Sequence, residues 1–178
     1  MKRILSIAMP VLIAGTITAA CQTVQTTQGG AVGVQRSQLM MVSAQEIEQA
    51  SSQQYQEMLA EARRKNALDR DPATVQRVRR IVSRLTAQTG AFRPDAPAWA
   101  WEVHVFSSNE LNAWCMAGGK MAIYTGLIER LSLTDDEIAA VMGHEIAHAL
   151  REHAREQVSK SMATGIGVSV AGALLGFG

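Results

Sequence analysis

His144-Glu145-Ile146-Ala147-His148 constrains this chain more than any other stretch. Thr134 and Glu137 before it have the spacing of a capping box, and Ile138, Val141, Met142 and Ala149 recur at helical spacing, so the string sits on a helix. Two histidines four residues apart lie on one helical face about one turn apart, so both imidazoles can reach a single tetrahedral zinc ion. Glu145 lies beside such an ion, where its carboxylate can take a proton from a metal-activated water and later pass it to a leaving amine. The fold therefore has to build a cleft over this helix.

Zinc in a catalytic site needs a third protein ligand and one open position. His153 lies nine residues after His144, half a turn round a straight helix, and is expected to face away as a core or second-helix contact. Glu152 lies on the correct face but two turns, about 11 Å, beyond His144. The metzincin pattern is excluded, because Arg151 and Ala154 stand where it requires Gly and His. No Asp, Glu, His or Cys follows Glu156, so a third ligand from a following helix is expected to be missing and the domain to be truncated at its C-terminus.

The N-terminus has a basic start, Lys2 and Arg3, then an apolar run from Ile4 to Ile17 broken by Pro10, then Thr18-Ala19-Ala20 before Cys21. That run is short of the roughly 20 apolar residues a spanning helix needs and has the layout of a cleaved export signal over residues 1–20. The small residues before Cys21 resemble a bacterial lipobox, which implies lipidation at Cys21, although Thr18 replaces the commoner Leu; an ordinary signal peptide is the alternative. Gln22 after the cysteine resembles the outer-membrane sorting class. With Cys21 acylated, Cys115 is the one remaining thiol and reads as a small buried apolar residue.

Residues 21–42, rich in Gln, Thr and Gly, read as a flexible tether. Ser43 with Glu46 predicts a helix running to about Leu68, and Asp71-Pro72 starts a second whose stripe is Val75, Val78, Ile81, Val82 and Leu85, stopped by Thr89-Gly90. The arginines opposite that stripe, Arg77, Arg79, Arg80 and Arg84, read as a solvated face. Alternation from Trp99 to Phe106 predicts a half-buried strand, and a second is expected around Met121 to Thr125. Between them, the segment from Asn109 to Lys120 is expected near the active cleft, and its Gly118-Gly119 pair permits a tight turn or the close approach of another backbone. The apolar, glycine-rich end from Gly165 to Gly178 is too short to cross a bilayer and reads as a buried helix, a membrane-surface segment or a truncation stump.

Seventeen Lys and Arg balance sixteen Asp and Glu, and no basic block interleaves with aromatics, which argues against a nucleic-acid partner. At 178 residues one domain with tails is expected.

Taken together, Asn112-Ala113, Gly118-Gly119, the run from Tyr124 to Ile128 and the run from Glu137 to His148 resemble the gluzincin peptidase family M48. The HtpX-like, Oma-like and CAAX-prenyl-protease-like enzymes form that group, and the chain is most similar to its small periplasmic lipoprotein members. The resemblance extends from about Ser43 to the end, with Ala117 in place of the usual Pro. It implies an α+β, mainly helical zincin-like domain over residues 43–178, with a small β-sheet or hairpin beside the helix of His144. It implies one Zn2+ held by His144, His148 and a downstream Glu, with Glu145 as base. It implies an open strand edge at Met121, Ala122, Ile123 and Tyr124 that, with Gly118 and Gly119, binds extended substrate. The activity implied is metalloendopeptidase cleavage of misfolded or misassembled envelope proteins, from the periplasmic face of the outer membrane through an anchor at Cys21. A lipoprotein binding or chaperone-like module is the alternative, and the oligomeric state is left open.

Overall fold

Ser43 and Thr134 both cap helices as their sequences dictate: each side chain accepts from the backbone N–H three residues on, while Glu46 and Glu137 accept from the cap backbone in return. The structure is a computed structural model that describes residues 22–27, 36–165 and 172. The chain elements are β1 (Gln22–Val24), β2 (Gln38–Met40), α1 (Ala44–Arg64), α2 (Pro72–Thr86), β3 (Glu102–Phe106), β4 (Ala113–Met116), β5 (Lys120–Tyr124), α3 (Thr125–Arg130), α4 (Asp135–Leu150) and α5 (His153–Thr164). The class is α+β and mostly helical, as expected, and α4 carries His144 and His148. The expected signal segment, Cys21 and the glycine-rich end after Gly165, Gly172 excepted, lie outside the described residues.

The second sheet, with strand order β3-β5-β4, has β5 at its centre, parallel to β3 and antiparallel to β4. Alternate residues face opposite layers, as a pleated strand requires. Val103, Val105, Cys115, Met121 and Ile123 join one core with Val78 of α2 and Ile138 and Met142 of α4. Phe106, Trp114, Met116, Ala122 and Tyr124 join the other with Tyr55 and Leu59 of α1. Helices thus cover both faces of the sheet, and β3 is half-buried as expected, with Val103 and Val105 buried and Glu102 and His104 only partly so. It is shorter than its alternation suggested: Trp99 and Trp101 precede it, stacked on each other with centroids 5.2 Å apart.

α1 stops at Arg64 rather than near Leu68, because the chain beyond it is recruited to the outer edge of β3. Leu68 bridges Phe106, the Asp69 N–H donates to the Val105 carbonyl at 2.9 Å, and Asp69 Oδ1 accepts from the Val105 N–H at 2.8 Å. Asn66 and Asp69 take positive φ to make that approach. On the predicted solvated face of α2, Arg77 meets Asp135 and Arg79 meets Asp69 in ion pairs.

The described ends of the stretch expected as a tether are paired: β1 and β2 form an antiparallel ribbon, with Gln22 opposite Met40. This segment finds specific partners on α5 and in the turn before it, which composition cannot reveal. Gln38 Nε2 donates to the Arg151 carbonyl and to Glu156 Oε2, both at 2.8 Å, and Ser159 Oγ accepts from the Met41 N–H. Glu156, 4 % exposed, also receives Arg36 and Lys160. Burial alone would raise the Glu156 carboxyl, but hydrogen bonds from Lys160 and Gln38 and the charges of Lys160 and Arg36 hold it below the usual value.

A carboxylate depressed by folding stabilises the fold above its unfolded value, about 4.3, and that stabilisation is lost as pH falls through the folded value. Glu156→Gln is expected to cost about 1.5–3 kcal/mol near neutrality, the range for hydrogen bonds to a charged group. In melting curves recorded from neutral to about pH 3, the wild type should lose stability more steeply than the variant as acid is added. Parallel curves would show that the cluster contributes nothing.

Candidate metal centre and cleft

His144 and His148, one turn apart on α4, point their Nε2 atoms at each other at 2.9 Å, with ring centroids 4.5 Å apart. Convergence of two donor nitrogens is what binding one small cation requires. Glu145 is half-buried beside them; burial raises its carboxyl above the ordinary value, opposed by His144. A carboxylate so placed is a stronger base than one in water. Burial lowers His148, and the neighbouring His144 and Arg151 lower it further, which favours the neutral, ligating imidazole.

The three side chains open onto a cleft of about 750 Å³ whose walls include Ile47 and Glu48 of α1, Ala113 and Cys115 of β4, and Trp99. Cys115 is a buried free thiol, as expected; burial pushes its pKa up, with the Glu145 carboxylate adding to the effect. Gly118 and Gly119 form a tight turn, with φ of +74° and +80°. A side chain at Gly119 would put Cβ 2.6 Å from Trp101 Cε3, and one at Gly118 would crowd Glu48 at 3.0 Å. Gly118 lines the cleft, whereas Gly119 packs beneath Trp101.

Met121, Ala122, Ile123 and Tyr124 do not form the open edge expected of them. They are β5, which is buried and paired on both sides. The reason is topological: β3 runs parallel to β5 and takes one side, so the tight turn folds β4 onto the other and leaves β4 as the edge. The outer edge of β3 is closed by Leu68 and Asp69, and β4 borders the cleft. The sheet edge that borders the cleft is therefore Ala113–Met116, which lies within the segment expected near it but not expected as a strand.

His153 does not face away either. α4 ends at Leu150, Glu152 adopts a left-handed conformation with φ 52°, and α5 begins at His153. The break returns His153 to the site, with its Nδ1 2.7 Å from His148 Nδ1 and the rings close to perpendicular. Glu152 is clamped there by Arg93 and Arg155, each at 2.6 Å, and Arg93 also donates to the Leu150 carbonyl and lies over Trp99. No Gly or Pro marks this break. The sequence signal was the gathering of three of four histidines between 144 and 153.

The donor set fits zinc in kind and direction: two imidazole nitrogens converge, with a carboxylate beside them. Among the described residues no group of three His, Cys, Asp or Glu side chains is placed to hold a metal, and the converging pair of imidazoles is the donor set they present. No helix of the described residues is long and apolar enough to cross a membrane.

Comparison with known proteins bears on the same segment. The profile of Peptidase family M48 matches residues 72–178, more than half of the chain and including β3 through α5. The chain is 26 % identical over 177 residues to the metalloprotease LoiP of Escherichia coli, covering 98 % of this chain and 64 % of that protein. It is 30 % identical over 125 residues to the mitochondrial metalloendopeptidase OMA1 of Bos taurus, covering 70 % and 23 % respectively. To the metalloprotease YcaL of Escherichia coli it is 36 % identical over 59 residues, 33 % of this chain and 22 % of that one. The chain spans less than two thirds of the length of each of these relatives. With the profile spanning the histidine helix and the strands that wall its cleft, the chain belongs to Peptidase family M48, a zinc-dependent metallopeptidase family.

Proposed function

We propose that this chain forms the zinc-binding, base-bearing part of an endopeptidase that cleaves unfolded or misassembled cell-envelope proteins. The observation that carries the reading is the convergence of His144 and His148 beside Glu145 in an open cleft. A bound zinc ion would supply an activated water and Lewis acidity at the scissile carbonyl. Glu145 takes a proton from the attacking water and returns it to the amide nitrogen as the peptide bond breaks. The β4 edge accepts an extended substrate backbone by strand addition, which selects unfolded segments over folded ones. Export and anchoring through Cys21 belong to the same reading and rest on the N-terminal sequence.

A second reading, a lipoprotein-anchored binding or chaperone-like module, is favoured by the lack of a third ligand among the described residues. Incubation of the zinc-loaded chain with unfolded casein separates the two. The endopeptidase reading predicts internal cleavage that stops on chelation and resumes when zinc is restored. A zinc-loaded chain that binds casein and leaves it intact would replace that reading with the second.

A further inference from the structure

We infer that His153 is a positioning residue, accepting a hydrogen bond from the Nδ1–H of His148 and so presenting His148 Nε2 to the metal. The inference rests on the reading of His144 and His148 as zinc ligands. Given that reading, the assignment follows from proton accounting on three neutral rings. A neutral imidazole carries one N–H, and the nitrogen that ligates must carry none. His148 Nε2 is the atom that converges with His144, so the proton of His148 resides on Nδ1. The polar contact shown for that nitrogen is His153 Nδ1 at 2.7 Å, which must then be unprotonated, leaving the His153 proton on Nε2.

The acceptor is held in place without help from the metal. Glu152, the residue before it, is fixed by Arg93 and Arg155, and the Arg151 carbonyl accepts from Gln38 of β2. Two residues on, Arg155 also donates to the Val42 carbonyl at 2.7 Å. The break between α4 and α5 is thereby tied to α2's following loop on one side and to the N-terminal ribbon on the other. Its consequence is an imidazole delivered to the back of a ligand, the arrangement by which outer-shell groups fix a ligand's tautomer and orientation. A continuous helix would have put His153 on the opposite face.

The test uses the full chain with zinc alone as the added ligand. Long-range nitrogen-15 NMR of the histidine rings, at about pH 8, where imidazoles are neutral, should show His148 protonated at Nδ1 and His153 at Nε2 once zinc is present. His153→Phe, which removes the acceptor, should weaken zinc binding by about 10–100-fold. His153→Asn, whose side-chain oxygen can replace Nδ1 as acceptor, should restore binding to within a few-fold of the wild type. Wild-type zinc binding with His148 protonated at Nε2, or a Phe variant that folds and binds zinc as tightly as the wild type, would overturn the role of His153 and leave the zinc reading standing. Absence of zinc binding by the wild type would overturn both. Should the Phe variant fail to fold, the wild-type tautomers and the Asn variant decide the matter.

Discussion

Replacing Glu145 with Gln is expected to lower casein cleavage by the zinc-loaded chain by roughly 10²–10⁴-fold, the usual contribution of a general base. The substitution keeps the shape and hydrogen-bonding span of the side chain and removes its capacity to take a proton. Glu145 forms no three-ligand group with His144 and His148 among the described residues, so zinc affinity should change by no more than a few-fold. Thermal stability should hold or rise slightly, because burial already disfavours the charged carboxylate at this position. Rate measurements at saturating and at low casein should place the loss in turnover rather than in substrate binding. A variant that cleaves casein at the wild-type rate would show that Glu145 is not the base.

The parts of this architecture that local chemistry determines were legible in the sequence. Ser43, Asp71 and Thr134 start helices because a short polar side chain satisfies the free N–H groups of the first turn. The helical face that presents His144 and His148 follows from 3.6 residues per turn, and the paired glycines follow from a turn with two positive φ angles. What escaped was decided between residues far apart in the chain. Leu68 left α1 to bridge Phe106, thirty-eight residues on, and Gln38 found Glu156 across 118 positions. The helix break at Glu152 depends on Arg93, 59 residues earlier, so periodicity carried the helix straight through it and turned His153 the wrong way.

The exchange of β5 for β4 as edge strand has the same origin. Met121 to Tyr124 is the more apolar run, and it drew the strand assignment. Its apolarity reflects a central position with both faces covered. Ala113–Met116 alternates Trp114 and Met116 toward α1 with Ala113 and Cys115 toward α4, a strand pattern only four residues long. Such a run is too short for periodicity to register, yet it is the strand beside the candidate catalytic groups.

The largest effect on metal binding is expected at the two imidazoles themselves. His144→Ala and His148→Ala each remove one of the two converging donors, and each should weaken zinc binding by 10²-fold or more, beyond the 10–100-fold typical of an outer-shell change such as that at His153. Neither ring is part of the buried core, so both variants should keep the wild-type fold and melting behaviour. Titration of the metal-free full chain with zinc, followed by metal analysis after gel filtration, decides whether the two imidazoles form a zinc site. One zinc ion should be retained per wild-type chain and none by either alanine variant. Zinc retained equally by all three proteins, or by none, would contradict a zinc site at these two imidazoles.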